Sequence, residues 1–416
     1  MALNLLRNSR VFYTTNLKTD GTGEILTTGF TDTNTREIQV LDGFSFSQNT
    51  GQETITTSEA GPAPVRGQRS FNTSLEPVDW SFSTYVRPNL VEGASVSLGT
   101  LDADDYVDCE ESVLWNSLSG YAAHSIGAAA ATTGQGWTTT VGTGAVSTVA
   151  FGNSNKHQLH AFGLLIVFDD ITFAIDNCAI DSATIDFGLD AIATIAWAGK
   201  GTVMRQLATK ISLTDNTTTG ITTMASGATA MGTAKLKNTA AFYIANKLSI
   251  MELSVPSTYA GITAASPKVY DIALTGGSFT ISNNLTYLTP ANLGVVNRPI
   301  TYFTGTRAVT ATVNAYLKTG TGINTTSTLL SDLLTSSQIY TDNKFKVLVK
   351  MGGAGSTRVE LDLPTVQLTI PSIASEQIIS TSINMTAQGY NSSSSSYDLE
   401  QTNEVTVKYY ANNAAI

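Results

Sequence analysis

The chain is written twice, and nothing else in it constrains the fold as much. Residues Phe173 to Gly201 align without a gap on Leu361 to Gly389, a shift of 188 positions. The same landmarks precede both blocks in the same order. Phe12-Tyr13 and Asn16 recur as Phe242-Tyr243 and Asn246, and FSFSQN from Phe44 recurs as FTISNN from Phe279. Val78 to Arg87 (VDWSFSTYVR) recurs as Val309 to Lys318 (VTATVNAYLK), with Tyr85 over Tyr316. Self-similarity on this scale sets the architecture before any local reading. The expected division is a first unit over 1–212, a connector over 213–235 and a second unit over 236–416. Each unit is long enough to bury its own core.

Within each unit the texture is that of a sheet. Val78, Trp80, Phe82 and Val86 alternate with Asp79, Ser81, Ser83 and Tyr85. In the second unit Val309, Ala311, Val313, Ala315 and Leu317 alternate with Thr310, Thr312, Asn314 and Tyr316. Ile379, Thr381, Ile383 and Met385 alternate in turn with Ser380, Ser382, Asn384 and Thr386. Period two means one buried and one wet face, and this wet face consists of small hydroxyl and amide groups. One short helix is expected per unit. Leu329, Leu330, Leu333 and Leu334 form an apolar stripe, and Val113, Leu114 and Leu118 form its first-unit partner, with Asp108 and Glu111 spaced as a capping box. The predicted class is mainly β: a sandwich or barrel-forming sheet with one flanking helix per unit. A Gly/Ala/Thr-rich insertion over about 120–156 has no second-unit counterpart and reads as a flexible or surface-covering segment, as does 206–235.

Charge and motifs remove several functions. A net charge of −10 opposes a partner gripped by its phosphates, because such affinity comes from Lys and Arg. Cys109 and Cys178 are the only cysteines, too few for a disulfide framework, and read as buried thiols. The opening MALNLLRNSRVFYTT has no apolar stretch followed by a small-residue cleavage site, so no secretory signal is expected, and no run of 18 apolar residues occurs. His157 and His160 fall on opposite faces of a strand, and no nearby Cys or carboxylate completes a metal site. The acidic stretch Asp102 to Glu111 lacks the EF-hand spacing, and its charge suits a helix N-terminus. His124 has no second-unit counterpart either, and neither a nucleophile elbow nor a phosphate-binding glycine motif occurs. No catalytic residue, metal or cofactor is therefore expected.

The order of elements in each unit resembles the tail tube proteins of long-tailed bacteriophages. The elements are a strand entering FSFSQN or FTISNN, a protruding loop (50–68 and 285–306), the long alternating strand, a helix, and paired strands ending in AWAGKG and TAQGY. The resemblance implies a non-enzymatic virion component of the tail, made in the host cytoplasm. It implies a sheet that joins its neighbours' sheets around a channel, and two fused tube domains that would need three chains for a pseudo-six-fold ring. Trimeric and hexameric rings both stay open, as do contractile and non-contractile tails. The implied partners are further copies of the chain, tape-measure and baseplate or terminator proteins, a sheath if the tail contracts, and DNA passing non-specifically, with no membrane. On this reading Asp79, Ser81, Ser83, Thr310, Thr312, Asn314, Ser380, Ser382, Asn384 and Thr386 face the lumen. Arg66, Arg69, Arg87, Arg307 and Lys318 serve contacts between subunits or rings, together with the loops 50–68 and 285–306. The rival reading is a secreted or surface-exposed β-rich adhesin.

Overall fold

The computed structural model describes residues 9–411 apart from 57–61, 63–66, 92–104, 121–135, 143–144, 152–158, 216–221, 225–229, 232–242, 256–257, 260–261, 264–267, 320–323, 339–343, 353–356, 375–377, 392–395, 398–402 and the single positions 32, 42, 190 and 295. The fold is mainly β. In chain order its principal elements are β1 (Arg10–Thr14), β2 (Thr35–Ile38), β3 (Ser45–Thr56), β4 (Gln68–Tyr85), α1 (Ser112–Ser119), β5 (Gly136–Thr140), β6 (Val146–Ala150), β7 (Phe162–Val167), β8 (Thr172–Gly188), β9 (Thr194–Gly201) and β10 (Val203–Gln206). There follow β11 (Ile250–Val255), β12 (Lys268–Asp271), β13 (Ala273–Ser282), β14 (Leu285–Leu288), β15 (Thr301–Thr304), β16 (Ala308–Tyr316), α2 (Thr326–Ser337), β17 (Phe345–Met351), β18 (Arg358–Leu368), β19 (Ser372–Ala374), β20 (Ser380–Ala387) and β21 (Thr406–Tyr410).

Two strands change sheets midway and so build the layers. The first half of β8 pairs with β7 and β10, and its second half pairs with β9 and β13. The turn between the halves falls at Asn177, whose φ of +48° lies in the left-handed region that Asn tolerates. Likewise the first half of β18 pairs with β17 and β21, while its end pairs with β20. One antiparallel sheet thus runs β3–β4–β9–β8–β13–β16–β20 and ends on β18 and β19. Among the described residues no ladder joins its last strands back to β3. Against it lie two outer sheets, β2–β1–β7–β8–β10 and β12–β11–β17–β18–β21–β6–β5. The buried side chains between the layers form one cluster that includes Trp80, Phe162 and Trp197 from the first repeat and Phe279, Val347 and Val407 from the second.

Ladder register corrects two of the sequence alignments. A shift of 188 places Thr184 over Ser372, and these residues face Ala196 and Ser382. The shift that puts Tyr85 over Tyr316 places Ser83 over Asn314, and they face the same two residues. Both routes match β9 to β20 at a shift of 186, so the gapless alignment hides a turn two residues shorter in the second repeat. Ser47 faces Asp79 and Thr280 faces Thr310, which places Phe46, not Phe44, over Phe279. An even slip leaves every side chain on its face, so the division into dry and wet faces survives.

Other local expectations also change. The capping box does not form: Glu111 is the N-cap of α1 without a side-chain cap bond, and Asp108 is engaged by Arg36 instead. Leu334 of α2 is largely exposed while Leu329 and Leu333 are buried. Part of the 120–156 insertion is the hairpin β5–β6, which adds to the edge of β21 and buries Trp137 and Val149. Residues 213–231 carry a small three-stranded sheet.

Candidate functional site

The long sheet presents one continuous polar face. Transverse neighbours line up as Ser83, Ala196, Thr184, Thr280, Thr310, Thr386 and Gln367. The next row is Tyr85, Thr194, Asp186, Ser278, Thr312 and Asn384. On the other side runs Ser45, Ser81, Ala198, Ser182, Ser282 and Ala308. Each strand alternates, so each sends its apolar residues into the core and its small polar ones to this surface.

The side chains bond to one another across the strands. Thr184 and Thr280 hydroxyls lie 3.0 Å apart, Ser45 and Ser81 hydroxyls 2.9 Å, and the Thr312 hydroxyl donates to Asn384 Oδ1 at 2.8 Å. Charge is sparse. Asp186, whose pKa partial burial raises, is the charged residue of these rows, and in the row beyond Ser81, Asp79 pairs with Lys200 at 2.9 Å. All ten of the polar residues singled out in β4, β16 and β20 lie on this face, each exposed or half-buried. The neighbouring Ser182, Thr184, Asp186, Ser278 and Thr280 escaped the sequence reading. The first half of β8 is buried on both faces and hides the alternation of its second half, and Gly276-Gly277 interrupt that of β13.

The predicted cations fare differently. Arg87 is buried, 2.7 Å from Glu110 and over the Tyr243 ring, so it is not presented at the surface of the chain. Arg307 pairs with Glu404 at 2.6 Å and Lys318 with Asp271. Arg69 is exposed on the outer part of β4, opposite Ile55, and Arg66 lies outside the described residues. The loop 285–306 meets the outer part of β4, the strand that follows the loop 50–68. The Leu75 N–H donates to the Asn297 carbonyl at 2.7 Å, and the Asn297 N–H to that of Thr73 at 3.2 Å. Around them Ile55, Phe71, Leu293, Val296, Ile300 and Phe303 are exposed.

Among the described residues no group of three or more His, Cys, Asp or Glu side chains could hold a metal. Of the acidic stretch, Asp102 lies outside the described residues, while Asp108 and Glu110 are buried against Arg36 and Arg87. Burial lowers the His160 pKa to about 4 and pushes the thiols of Cys109 and Cys178, both free, well up. His157 and His124 lie outside the described residues.

Burial also pushes Glu110 and Glu111 up to about 7, although Arg87 opposes it at Glu110. Glu111 accepts a bond from the Tyr409 hydroxyl at 3.0 Å, while its other oxygen is buried without a partner, as suits a protonated carboxyl. Here the folded pKa exceeds the unfolded one. The native state therefore holds protons that the unfolded chain releases between about pH 4.5 and 7, and stability falls as pH rises through that window. Thermal unfolding from pH 4.5 to 8 should show this decline, and Glu111→Gln should flatten it. An unchanged slope in the variant would exclude Glu111 as its source.

No protein-family model matches the chain. A curated relative does: this chain is 30% identical, over 98% of its own length and 79% of the relative's, to "Tail tube protein pb6" of Escherichia phage T5.

Proposed function

Because the chain belongs to the phage tail tube proteins, structural components of the virion tail, we propose that it assembles as rings of three chains. The rings stack into a tube, and the polar face lines a channel through which DNA leaves the virion. Each chain brings two tube domains, divided near the connector over 213–235, so three chains give a ring of six-fold outline. The observation that carries this reading is the face itself. It is wide, continuous, small-grained and almost free of cations, in a sheet whose ends are joined by no ladder among the described residues.

Such a wall suits a passing polyanion. Retention of DNA needs Lys and Arg against its phosphates, and on this face Lys200 is held by Asp79. Three chains carry a formal charge of −30, and repulsion from acidic groups at the lumen extends roughly a Debye length, ~8 Å at physiological salt. The loops 50–68 and 285–306, which expose Ile55 and, in the second, Leu293, Val296, Ile300 and Phe303, are the surfaces for the next ring, with Arg69 at their margin. Tape-measure and terminator proteins would set the tube's length and ends.

Electron microscopy of the purified, untagged chain tests the reading. End-on averages should show hollow rings or tubes with six-fold outline and true three-fold symmetry. Compact monomers that persist at high concentration and with a tail initiator complex added would overturn it.

A further inference from the structure

The joint between α1 of the first repeat and β21 of the second is built around buried carboxyls. Every residue of α1 is buried, and Trp115 Nε1 donates at 2.7 Å to the hydroxyl of Tyr409 on β21. That hydroxyl donates in turn to Glu111 at 3.0 Å, at the start of the same helix. One tyrosine of the second repeat is thus gripped at two points by one helix of the first. The other oxygen of Glu111 has no partner among the described residues. Trp137 packs on the Tyr409 ring, 5.1 Å between centres. A second tyrosine of that repeat touches the cluster: Arg87 lies over the Tyr243 ring at 5.2 Å and holds Glu110 at 2.7 Å.

Glu111 is poorly placed to carry a charge. Its own segment sets Glu110 and the Cys109 thiol against it, the segment after β4 supplies Arg87, and β21 supplies Tyr409. Arg36 of β2 is taken up by Asp108 and the Ser112 hydroxyl. Arg87 is the cation that would steady a charge on Glu111, and Glu110 already holds it. Glu110 also accepts the Gln39 N–H, so the negative charge of the two neighbours rests on Glu110 and the proton on Glu111. Burial, helped by Glu110, pushes Glu111 up to about 7, although Tyr409 and Arg87 oppose the shift.

We propose that Glu111 works as a proton-operated catch on this joint, closing α1 onto β21 when neutral and loosening that contact when ionised. The catch acts within one chain and does not depend on the ring reading. Loss of the proton puts two buried carboxylates beside one guanidinium, and a buried charge without its own partner is costly. Opening the joint relieves that cost, because water then reaches Glu111 and its carboxyl returns to its ordinary range. The closed joint therefore holds a proton that the open joint releases. Its opening equilibrium rises about tenfold per pH unit between about pH 4.5 and 7 and levels off above. The long sheet takes no part: Glu111 touches α1's own segment, Arg87 and β21, so the loosening is local.

Hydrogen exchange read by mass spectrometry on the full-length chain, from pH 5 to 8 and corrected for intrinsic rates, follows this opening directly. Peptides covering α1 and β21 should lose protection about tenfold per pH unit up to about pH 7, and stay less protected than β16 and β20 throughout. Glu111→Gln keeps the shape of the neutral carboxyl and should hold α1 and β21 flat across that range. Tyr409→Phe removes a donor that favours the charge, so it should raise exchange at every pH and carry the window beyond about pH 7. An unmoved window in that variant would overturn the catch, because a merely structural contact raises exchange alone. Equal protection in α1, β21, β16 and β20 would show that the joint opens only with the whole fold, and would overturn it too. So would a slope retained in Glu111→Gln, or no slope in the native chain.

Discussion

Replacing Trp115 by alanine should cost about 3–5 kcal/mol of stability, the range for deleting a large buried aromatic. Trp115 is fully buried in α1, edge-on to Trp197 at 5.0 Å between ring centres. Its indole N–H donates at 2.7 Å to the Tyr409 hydroxyl, which donates in turn to Glu111. Tyr409 lies on β21, in the last part of the second repeat, so this one side chain fastens the first repeat's helix to the second repeat's outer sheet. The variant leaves a cavity where the repeats meet, and the Tyr409 hydroxyl keeps only Glu111. Trp115→Phe separates the two losses. It retains most of the packing and gives up one hydrogen bond, worth about 0.5–1.5 kcal/mol. Urea unfolding of the three proteins measures both. A loss under about 1 kcal/mol for the alanine variant would show that the interface collapses to fill the space and that Trp115 is not a keystone of the joint.

How much of this could be read beforehand follows from what each strand does. β4, β16 and β20 stay in one sheet with one face buried, so their alternation is clean and their wet residues were legible one by one. β8 crosses between sheets at Asn177. Its first half is covered on both sides and shows no period-two alternation, which conceals Thr184 and Asp186. The hairpin β5–β6 sits in low-complexity sequence and is fixed by tertiary context: Trp137 packs on Tyr409, and the strands borrow the edge of β21. Residues far apart along the chain set both features, and no local period records them. The two-residue slips were invisible for a different reason. Shifts by two preserve polarity, so only the hydrogen-bond ladders separate one register from the next. Arg87 misled because a basic residue at the end of a wet-faced strand looks like a rim charge, while its partner Glu110 is supplied by the segment that leads into α1.

Arg36 makes the second strong expectation. It is 1% exposed, its guanidinium 3.1 Å from Asp108 and 2.8 Å from the Ser112 hydroxyl at the start of α1. The pair joins β2 to the helix and lies beside the Arg87–Glu110 pair, so two carboxylates and two guanidinium groups are buried together. Arg36→Met removes one cation and leaves Asp108 buried with the Cys109 N–H still donating to it at 2.8 Å. Removing one partner of a buried pair costs about 3–5 kcal/mol, whereas replacing both by apolar groups of similar volume is often neutral or stabilising. The double variant Arg36→Met, Asp108→Leu should therefore recover most of the loss, and a double-mutant cycle in urea gives the coupling directly. Additive losses would mean that the charges act independently. The pair would then anchor α1 only through Ser112, and the position of Trp115 would depend on packing rather than on this buried electrostatic contact.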